Sequence, residues 1–245
     1  MSLFNDKLKQ IPLKEFLIIF LILFLIQYIL NIFNIVHISS NWIYIFIIFY
    51  FIFKLRGEIF TAGEDIGAVL SPVCLRDIIY IVVLNIFFSY GMLYLSDYVL
   101  GVYASFNLFN SFVMGSFISV VIVSPICEEL IFRGVFLNNL SRIVPVLFAV
   151  LISSLLFAAL HPFGSIVSAF IFGICIALLY LKFDNIFAAF AAHFLNNLFA
   201  EVIFRLDSQQ ILFTDTYVVL VMSVLAVISF VLILRYIFHC REILL

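Results

Sequence analysis

The stretch Pro125-Ile-Cys-Glu-Glu-Leu-Ile-Phe-Arg-Gly134 places two adjacent glutamates and an arginine within an apolar sequence. Residues 116–124 before it and 143–160 after it contain no Lys, Arg, Asp or Glu. Each ionised side chain near the centre of a bilayer costs roughly 2.5–3.5 kcal/mol, so the three would together cost about 8–10 kcal/mol if unpaired. We therefore expect this stretch to be paired inside a protein or to carry a function.

The composition of the whole chain indicates a helical membrane protein. Of its 245 residues, 67% are hydrophobic and 11% are charged, and the mean hydropathy is +1.32. Soluble domains have about 45–50% apolar and about 25% charged residues, and membrane β-barrels show short alternating segments instead of long apolar runs. The predicted fold class is all-α, a polytopic integral membrane helical bundle with a single membrane domain over residues 1–245.

Eight apolar segments approach the length of about 20 residues that a helix needs to cross a bilayer. They predict about eight transmembrane helices, at residues 16–36, 41–54, 78–96, 108–127, 145–161, 163–181, 186–204 and 214–238. Trp42 and Tyr44, at the start of the second segment, are interpreted as interfacial anchors. The polar connection over residues 55–77 is expected to contain an interfacial helix.

The basic residues predict the orientation of the bundle. With the N-terminus in the cytoplasm, every Lys and Arg except Arg205 falls on the inner side, as the positive-inside rule requires. Both termini are therefore expected in the cytoplasm, and the richness in Ile, Phe and Asn points to a bacterial plasma membrane. The sequence contains no stripe of basic residues of the kind that would indicate nucleic-acid binding. The four cysteines form no CxxC pair and are interpreted as buried apolar thiols.

The two glutamates of the charged stretch are expected to have different roles. Glu129 and Arg133 are four residues apart, so they lie on one helix face and can form an ion pair. Glu128 is rotated by about 100°, which leaves its carboxylate free to act as a base. The alternative is a helix end at the membrane surface with three solvated charges.

A second polar element is Phe157-Ala-Ala-Leu-His161, followed by Pro162. The residue before a proline is pushed out of the α region, so one helix should end near His161, and Pro162 can open the next. His161 lies either in a surface turn or against a cavity. At about 1.5 Å per residue, His161 is several ångströms further from the inner surface than Glu128, so a tilt or a re-entrant turn must bring them together.

A third polar element, His193-Phe-Leu-Asn-Asn197, lies in the seventh apolar segment. His193 and Asn197 share a helix face, which Glu201 and Arg205 continue as a structural pair. His193 and Asn197 could form an interhelical polar contact. They could equally present two hydrogen-bond donors to a developing oxyanion.

Taken in order, the patterns Glu-Glu-x-x-x-Arg, Phe-x-x-x-His and His-x-x-x-Asn resemble the signature of the CAAX-protease and bacteriocin-processing family, also called the Abi family. These proteins are intramembrane endopeptidases that cut near the C-terminal end of membrane-associated substrates. The resemblance covers about residues 108–204, and it implies that this segment is the catalytic core. The first 100 residues carry no part of the signature.

The resemblance also implies roles for the matching residues. Glu128 with His161 would activate the attacking water, His193 and Asn197 would stabilise the oxyanion, and Glu129 would support the site with Arg133. This set describes a glutamate-type protease that requires no cofactor. A zinc site made of Glu128, His161 and His193 is the other reading, since two His and a carboxylate can hold zinc with an open position.

Three classes of function fit the sequence. The first is an endopeptidase that acts on a peptide or lipoprotein substrate at the lipid membrane, in CAAX-type or bacteriocin-peptide processing. The second is a non-catalytic bacteriocin self-immunity or scaffold protein, which would not need all of the signature residues together. The third is a transporter with Glu and His as relay groups, although transporters usually show paired inverted repeats that are not evident here. The sequence does not identify the substrate or the oligomeric state.

Overall fold

The computed structural model describes residues 3–33, 41–100, 116–161, 165–207 and 209–244, and every regular element within them is helical. This confirms the predicted all-α fold class. The α-helices are α1 (Leu3–Lys9), α2 (Leu13–Ile32), α3 (Asn41–Leu55), α4 (Ala62–Val69), α5 (Pro72–Tyr94), α6 (residues 117–140), α7 (Val146–Ala158), α8 (Ile166–Phe183), α9 (Ile186–Leu206), α10 (Ile211–Thr214) and α11 (Thr216–His239).

Five of these helices, namely α2, α5, α8, α9 and α11, are long and apolar enough to cross a membrane. The apolar helices α3 and α7 are shorter, and α6 carries the charged stretch. Each predicted segment overlaps one helix, whereas the number of eight crossings stays a prediction. The parts of the segments at 34–36, 108–115 and 163–164, together with Pro162, lie outside the described residues.

The long helix α5 is surrounded by α8, α9 and α11, while α7 and α9 flank α6. A two-residue turn joins α8 to α9, which makes them antiparallel neighbours. Asp184 takes a left-handed conformation (φ 45°) at the end of α8, a conformation that Asp tolerates better than most residues. Asn185 then caps α9, because its side chain accepts a hydrogen bond from the Phe187 amide at 2.9 Å.

Helix α6 is irregular along its length. π-helical segments at Ser119–Val123 and Leu130–Leu137 lie on either side of an α-helical segment, Ser124–Glu129, that contains both glutamates. π-helical turns are rare and are often found at functional sites. The helix continues to Leu140, so the charged stretch lies within a helix and not at its end.

The turn before α5 and the turn after α8 lie at one end of the bundle. Lys182 forms an ion pair with Asp77 at 2.6 Å, and Lys9 forms one with Asp184. Lys9 and Lys182 therefore lie at the same end of the bundle, and the grouping of the basic residues at one membrane surface stays a prediction. Arg133, which the sequence placed with them, is instead completely buried, because a carboxylate of its own helix pairs with it.

The connection over residues 55–77 contains the predicted helix, α4. Asn185 donates a hydrogen bond from its side chain to the Asp65 carbonyl oxygen at 2.7 Å, which docks α4 on the turn between α8 and α9. Helix α5 begins at Pro72, six residues before the predicted start at 78. Proline is favoured at the first position of a helix because it has no N–H to satisfy there.

Candidate active site

The centre of the candidate site is the Glu129 carboxylate, which is inaccessible to solvent. Its Oε1 atom accepts a hydrogen bond from Arg133 Nη1 at 2.8 Å and another from His193 Nδ1 at 2.7 Å. The ion pair predicted between Glu129 and Arg133 is therefore present. The alternative of three solvated charges at a helix end is wrong, since Arg133 is also completely buried.

The Arg133 guanidinium is held by two further groups. Nη2 donates a hydrogen bond to the Gly173 carbonyl oxygen of α8 at 2.9 Å. The guanidinium carbon lies 4.6 Å from the centroid of the Phe157 ring of α7, within the range of a cation–π contact. Gly173 allows this close approach, because a Cβ there would lie 3.0 Å from the Ser154 Cβ and 3.3 Å from the Phe157 ring, a tight fit. Arg133 thus fastens α6 to both α7 and α8.

Glu128 faces a different set of partners. Its Oε1 atom accepts hydrogen bonds from the Ser124 hydroxyl at 2.6 Å and from the Tyr44 hydroxyl at 3.5 Å. Its Oε2 atom lies 3.9 Å from His193 Nε2, a separation that one water molecule can bridge. The Glu128 side chain is 10% exposed, so the carboxylate is nearly buried and still reachable. Tyr44 is therefore a contact of this site, which its interpretation as an interfacial anchor did not predict.

His193 links the two glutamates. A carboxylate paired with arginine can only accept, so His193 Nδ1 carries a proton that it donates to Glu129. This fixes the ring with Nε2 toward Glu128. The rings of Phe157 and Phe172 pack edge-on against the imidazole, with centroids 5.5 and 5.8 Å away. The second glutamate of the pair therefore orients His193, while the first faces its Nε2 atom.

His161 lies in the turn that follows α7. Helix α7 ends at Ala158, and the His161 amide donates to the Ala158 carbonyl oxygen at 2.9 Å. His161 Nδ1 donates to the Phe157 carbonyl oxygen at 3.0 Å, which leaves Nε2 as an acceptor in the neutral ring. The Phe157 ring contacts both histidine rings, with its centroid 4.7 Å from that of His161 and 5.5 Å from that of His193. The helix thus ends near His161, as predicted, and the turn brings its ring to the rim of the site.

Asn197 lies one helical turn beyond His193 on the same face of α9. Its Nδ2 donates to the Val120 carbonyl oxygen at 3.0 Å, and because a carbonyl can only accept, this fixes which way the amide points. A chain of amides continues from it: Asn196 donates to Asn197 Oδ1 at 3.4 Å, and Asn85 of α5 donates to Asn196 Oδ1 at 2.8 Å. One hydrogen on Asn197 Nδ2 remains for another acceptor.

The structure gathers most of the residues that the sequence singled out. Glu128, Glu129, Arg133 and His193 form one connected group. His161 and Asn197 lie beside it, on either side of His193 in the chain order. The sequence reasoning missed the contacts of Ser124, Tyr44 and Phe157. Of these, only Ser124 had a local signal, since it precedes Glu128 by four residues and shares its helix face.

The fit of a metal ion can be tested against the donor atoms. Among the described residues, no three His, Cys, Asp or Glu side chains are arranged to hold a metal ion together. The zinc set considered from the sequence has one close pair, Glu128 and His193 at 3.9 Å, and His161 Nδ1 is directed to the Phe157 carbonyl oxygen. As placed, these residues do not form a three-ligand zinc site.

Comparison with known proteins agrees with the motifs. Residues 110–199 match the family model described as type II CAAX prenyl endopeptidase Rce1-like. No match was found among curated proteins or among solved structures. The family match supports an integral membrane protein with intramembrane protease activity in general. The resemblance to the CAAX-protease and bacteriocin-processing family is thus confirmed as a match of residues 110–199 to the Rce1-like family model.

Proposed function

We propose that this chain is an intramembrane endopeptidase in which Glu128 acts as the general base on a water molecule. The observation that carries the proposal is the opposition of Glu128 Oε2 and His193 Nε2, 3.9 Å apart within the helical bundle. A water between a carboxylate and an imidazole is well placed to lose a proton as it attacks a carbonyl carbon. His161, whose Nε2 is an acceptor, would hold the second hydrogen of that water.

The proposed reaction has two steps. In the first, Glu128 takes a proton from water, and the water oxygen forms a bond to the carbonyl carbon of the scissile peptide. In the second, the tetrahedral intermediate collapses and the C–N bond breaks. Glu128 then returns the proton to the leaving nitrogen, so that the carboxylate is regenerated. No metal ion takes part, and every proton is accounted for by the carboxyl group and the water.

His193 and Asn197 are proposed to stabilise the oxyanion. The Glu129 carboxylate accepts a hydrogen bond from His193 Nδ1 at 2.7 Å, which orients the ring so that Nε2 faces the oxyanion and donates to it when this nitrogen carries a proton. Asn197 has a second amide hydrogen, since its first is directed to Val120. Donors fixed in advance are effective because they need not reorganise as charge develops. The Glu129–Arg133 pair would support this arrangement without touching the substrate.

The proposed substrates are membrane-associated peptides or proteins that are cut near the C-terminus, and the proposed location is a bacterial plasma membrane with both termini in the cytoplasm. The orientation rests on the basic residues at one end of the bundle. Bacteriocin-peptide processing would use the same site, with a different peptide entering it.

The Glu128→Gln variant tests the proposal. Purified protein in nanodiscs would be given fluorogenic peptides that end in a CAAX sequence, with and without a farnesyl group. C-terminal peptide profiling of host membrane proteins would cover substrates outside that set. Loss of a general base reduces rates by about 10²–10⁴-fold, and we expect a loss of this size.

Glu201→Gln is the matched control, because Glu201 pairs with Arg205 at the surface of the bundle and should leave the rate unchanged. Cleavage that persists undiminished in Glu128→Gln would remove the proposed base. A wild-type protein that produces no cleavage product in either assay would favour the non-catalytic alternative, an immunity or scaffold protein.

A further inference from the structure

We propose that a cleft at the basic end of the bundle binds the phosphate headgroup of an anionic phospholipid. The cleft has a volume of about 480 Å³ and lies between the α1–α2 turn and the end of α3. This volume is within the range of about 300–1,000 Å³ typical of small-ligand sites. Lys7, Lys54 and Arg56 line it, together with one carboxylate, Glu58. The inference concerns a surface outside the candidate active site and does not depend on the proposed function.

Two of the three cations are available to a ligand. Lys54 is paired with Glu15 at 2.6 Å, whereas no carboxylate within the described residues forms an ion pair with Lys7 or Arg56. The Arg56 guanidinium lies 4.7 Å from the centroid of the Phe53 ring. Stacking of this kind holds the planar group in place while its edge stays free to bind two phosphate oxygens.

The surroundings of the cleft favour a lipid over a soluble anion. The cleft is at the ends of two apolar helices, α2 and α3, where a membrane-spanning bundle meets the headgroup layer. Phe53, which lines the cleft, is 61% exposed, so an apolar side chain borders the cations. A phospholipid bound by its phosphate would lay its acyl chains along such faces. Basic pockets at the cytoplasmic surface are known to bind anionic headgroups in this way.

The cleft is also joined to the helix that carries the two glutamates. Asn139 of α6 donates to the Ile11 carbonyl oxygen at 2.9 Å and accepts from the Leu13 amide at 3.3 Å. Leu8 of α1 packs so closely on Gly134 that a Cβ there would meet it at 3.0 Å. A lipid that fills the cleft therefore holds α1 and the start of α2 against α6, and should raise the thermal stability of the whole bundle.

The test uses the full chain in an uncharged detergent. Dioctanoylphosphatidylglycerol is titrated, with dioctanoylphosphatidylcholine as the lipid of zero net charge, and binding is followed by native mass spectrometry and by the melting temperature. Each Lys or Arg near a membrane surface contributes about fivefold to the binding of an anionic lipid. The variant Lys7→Gln/Arg56→Gln removes two of them, so it should bind the anionic lipid about 25-fold more weakly.

Lys14→Gln/Arg241→Gln is the matched control. It also removes one Lys and one Arg, both exposed, and Arg241 lies over the Phe238 ring as Arg56 lies over Phe53. Neither control residue lines the cleft, so this variant should bind like the wild type. Glu58→Gln should bind about fivefold more tightly, a gain that a misfolded protein cannot produce.

Three results would overturn the proposal. They are equal affinity for the two lipids, equal weakening in the Lys7/Arg56 and Lys14/Arg241 variants, and no gain in Glu58→Gln. A last titration uses soluble glycerophosphoglycerol, to distinguish binding of the lipid from binding of its headgroup alone. Saturation of the cleft by this headgroup alone, at the concentration at which the lipid saturates it, would assign the site to a free phosphate ester and reject the lipid.

Discussion

His193 donates a hydrogen bond from Nδ1 to Glu129 Oε1 at 2.7 Å, and both side chains are buried. The histidine and the second glutamate thus form a carboxylate–imidazole pair across α9 and α6. The first glutamate, Glu128, faces the opposite nitrogen of the same ring. Glu128 and Glu129 are adjacent and chemically identical, yet they have different partners. The Glu129 side chain lies on the helix face of Arg133, and the Glu128 side chain lies toward Ser124.

Removal of the Glu129 charge should destabilise the protein strongly. In Glu129→Gln the buried Arg133 loses its carboxylate, and breaking a buried ion pair costs about 3–5 kcal/mol. Glu201→Gln breaks a pair with the same i,i+4 spacing, but Arg205 is 57% exposed, so the loss should be within about 1 kcal/mol. Chemical unfolding of both variants in the same detergent measures the difference, and equal losses would contradict the structural role of Glu129.

Gly91 should be intolerant of a methyl group. A Cβ on Gly91 of α5 would lie 2.5 Å from the Ala226 Cβ of α11, so Gly91→Ala forces these two helices apart, at about 1–3 kcal/mol for overpacking. Melting temperatures should then fall for Gly91→Ala and recover in Gly91→Ala/Ala226→Gly. Gly67→Ala on α4 meets nothing within 4 Å and should be neutral or slightly stabilising. An unrescued double variant would contradict the close approach.

The two hydroxyl groups at Glu128 should contribute unequally to turnover. Ser124 Oγ is 2.6 Å from the carboxylate and the Tyr44 hydroxyl is 3.5 Å from it. A hydrogen bond to a charged group is worth about 1.5–3 kcal/mol, so Ser124→Ala should lower kcat by at least about tenfold. Tyr44→Phe should have the smaller effect. The peptide assay gives both values, and the opposite order would show that Tyr44 is the closer partner in solution.

Substitutions along the chain of amides formed by Asn85, Asn196 and Asn197 should lower kcat by graded amounts. Loss of an oxyanion donor lowers kcat by about 10²–10³-fold, which we expect for Asn197→Ala. Asn85→Ala acts two amides away, through Asn196, and should lower kcat by less than about tenfold. Steady-state kinetics with KM and kcat separated tests the order. Equal effects, or changes in KM alone, would assign Asn197 to packing or substrate binding.

Chelation should leave the cleavage rate unchanged. Among the described residues no three potential ligands form a metal site, and the proposed chemistry uses Glu128 and water. Protein dialysed against a strong chelator and assayed before and after addition of zinc should give the same kcat/KM. A rate that is lost on dialysis and restored by zinc would establish the metal-dependent mechanism in place of the proposed one.

The features predicted correctly from the sequence are those that local spacing determines. The ion pair of Glu129 with Arg133 follows from the i,i+4 rule, and the helix end near His161 follows from the proline after it. The helices follow from the length of the apolar runs. Each of these requires information from a few neighbouring residues only.

The features that could not be predicted depend on distant parts of the chain. Tyr44 is 84 residues from Glu128, and His193 is 64 residues from the glutamate that binds it. Spacing alone gives His193 no preference between Glu128 and Glu129. The Gly173 carbonyl that binds Arg133 is a backbone group, which has no signature in the sequence. The π-helical turns of α6 could not be predicted either, because an apolar run has the same sequence pattern in an α-helix and in a π-helix.

The order in which two partners of Arg133 are synthesised has a consequence for biogenesis. Glu129 belongs to the same helix and can neutralise the guanidinium as soon as that helix forms. The Gly173 carbonyl lies 40 residues later in the chain, so it is synthesised only after the whole of α6. Until α8 has been synthesised, Glu129 is therefore the one of these two partners that Arg133 can have. A nascent chain that stops before residue 173 would contain α6 without this second partner.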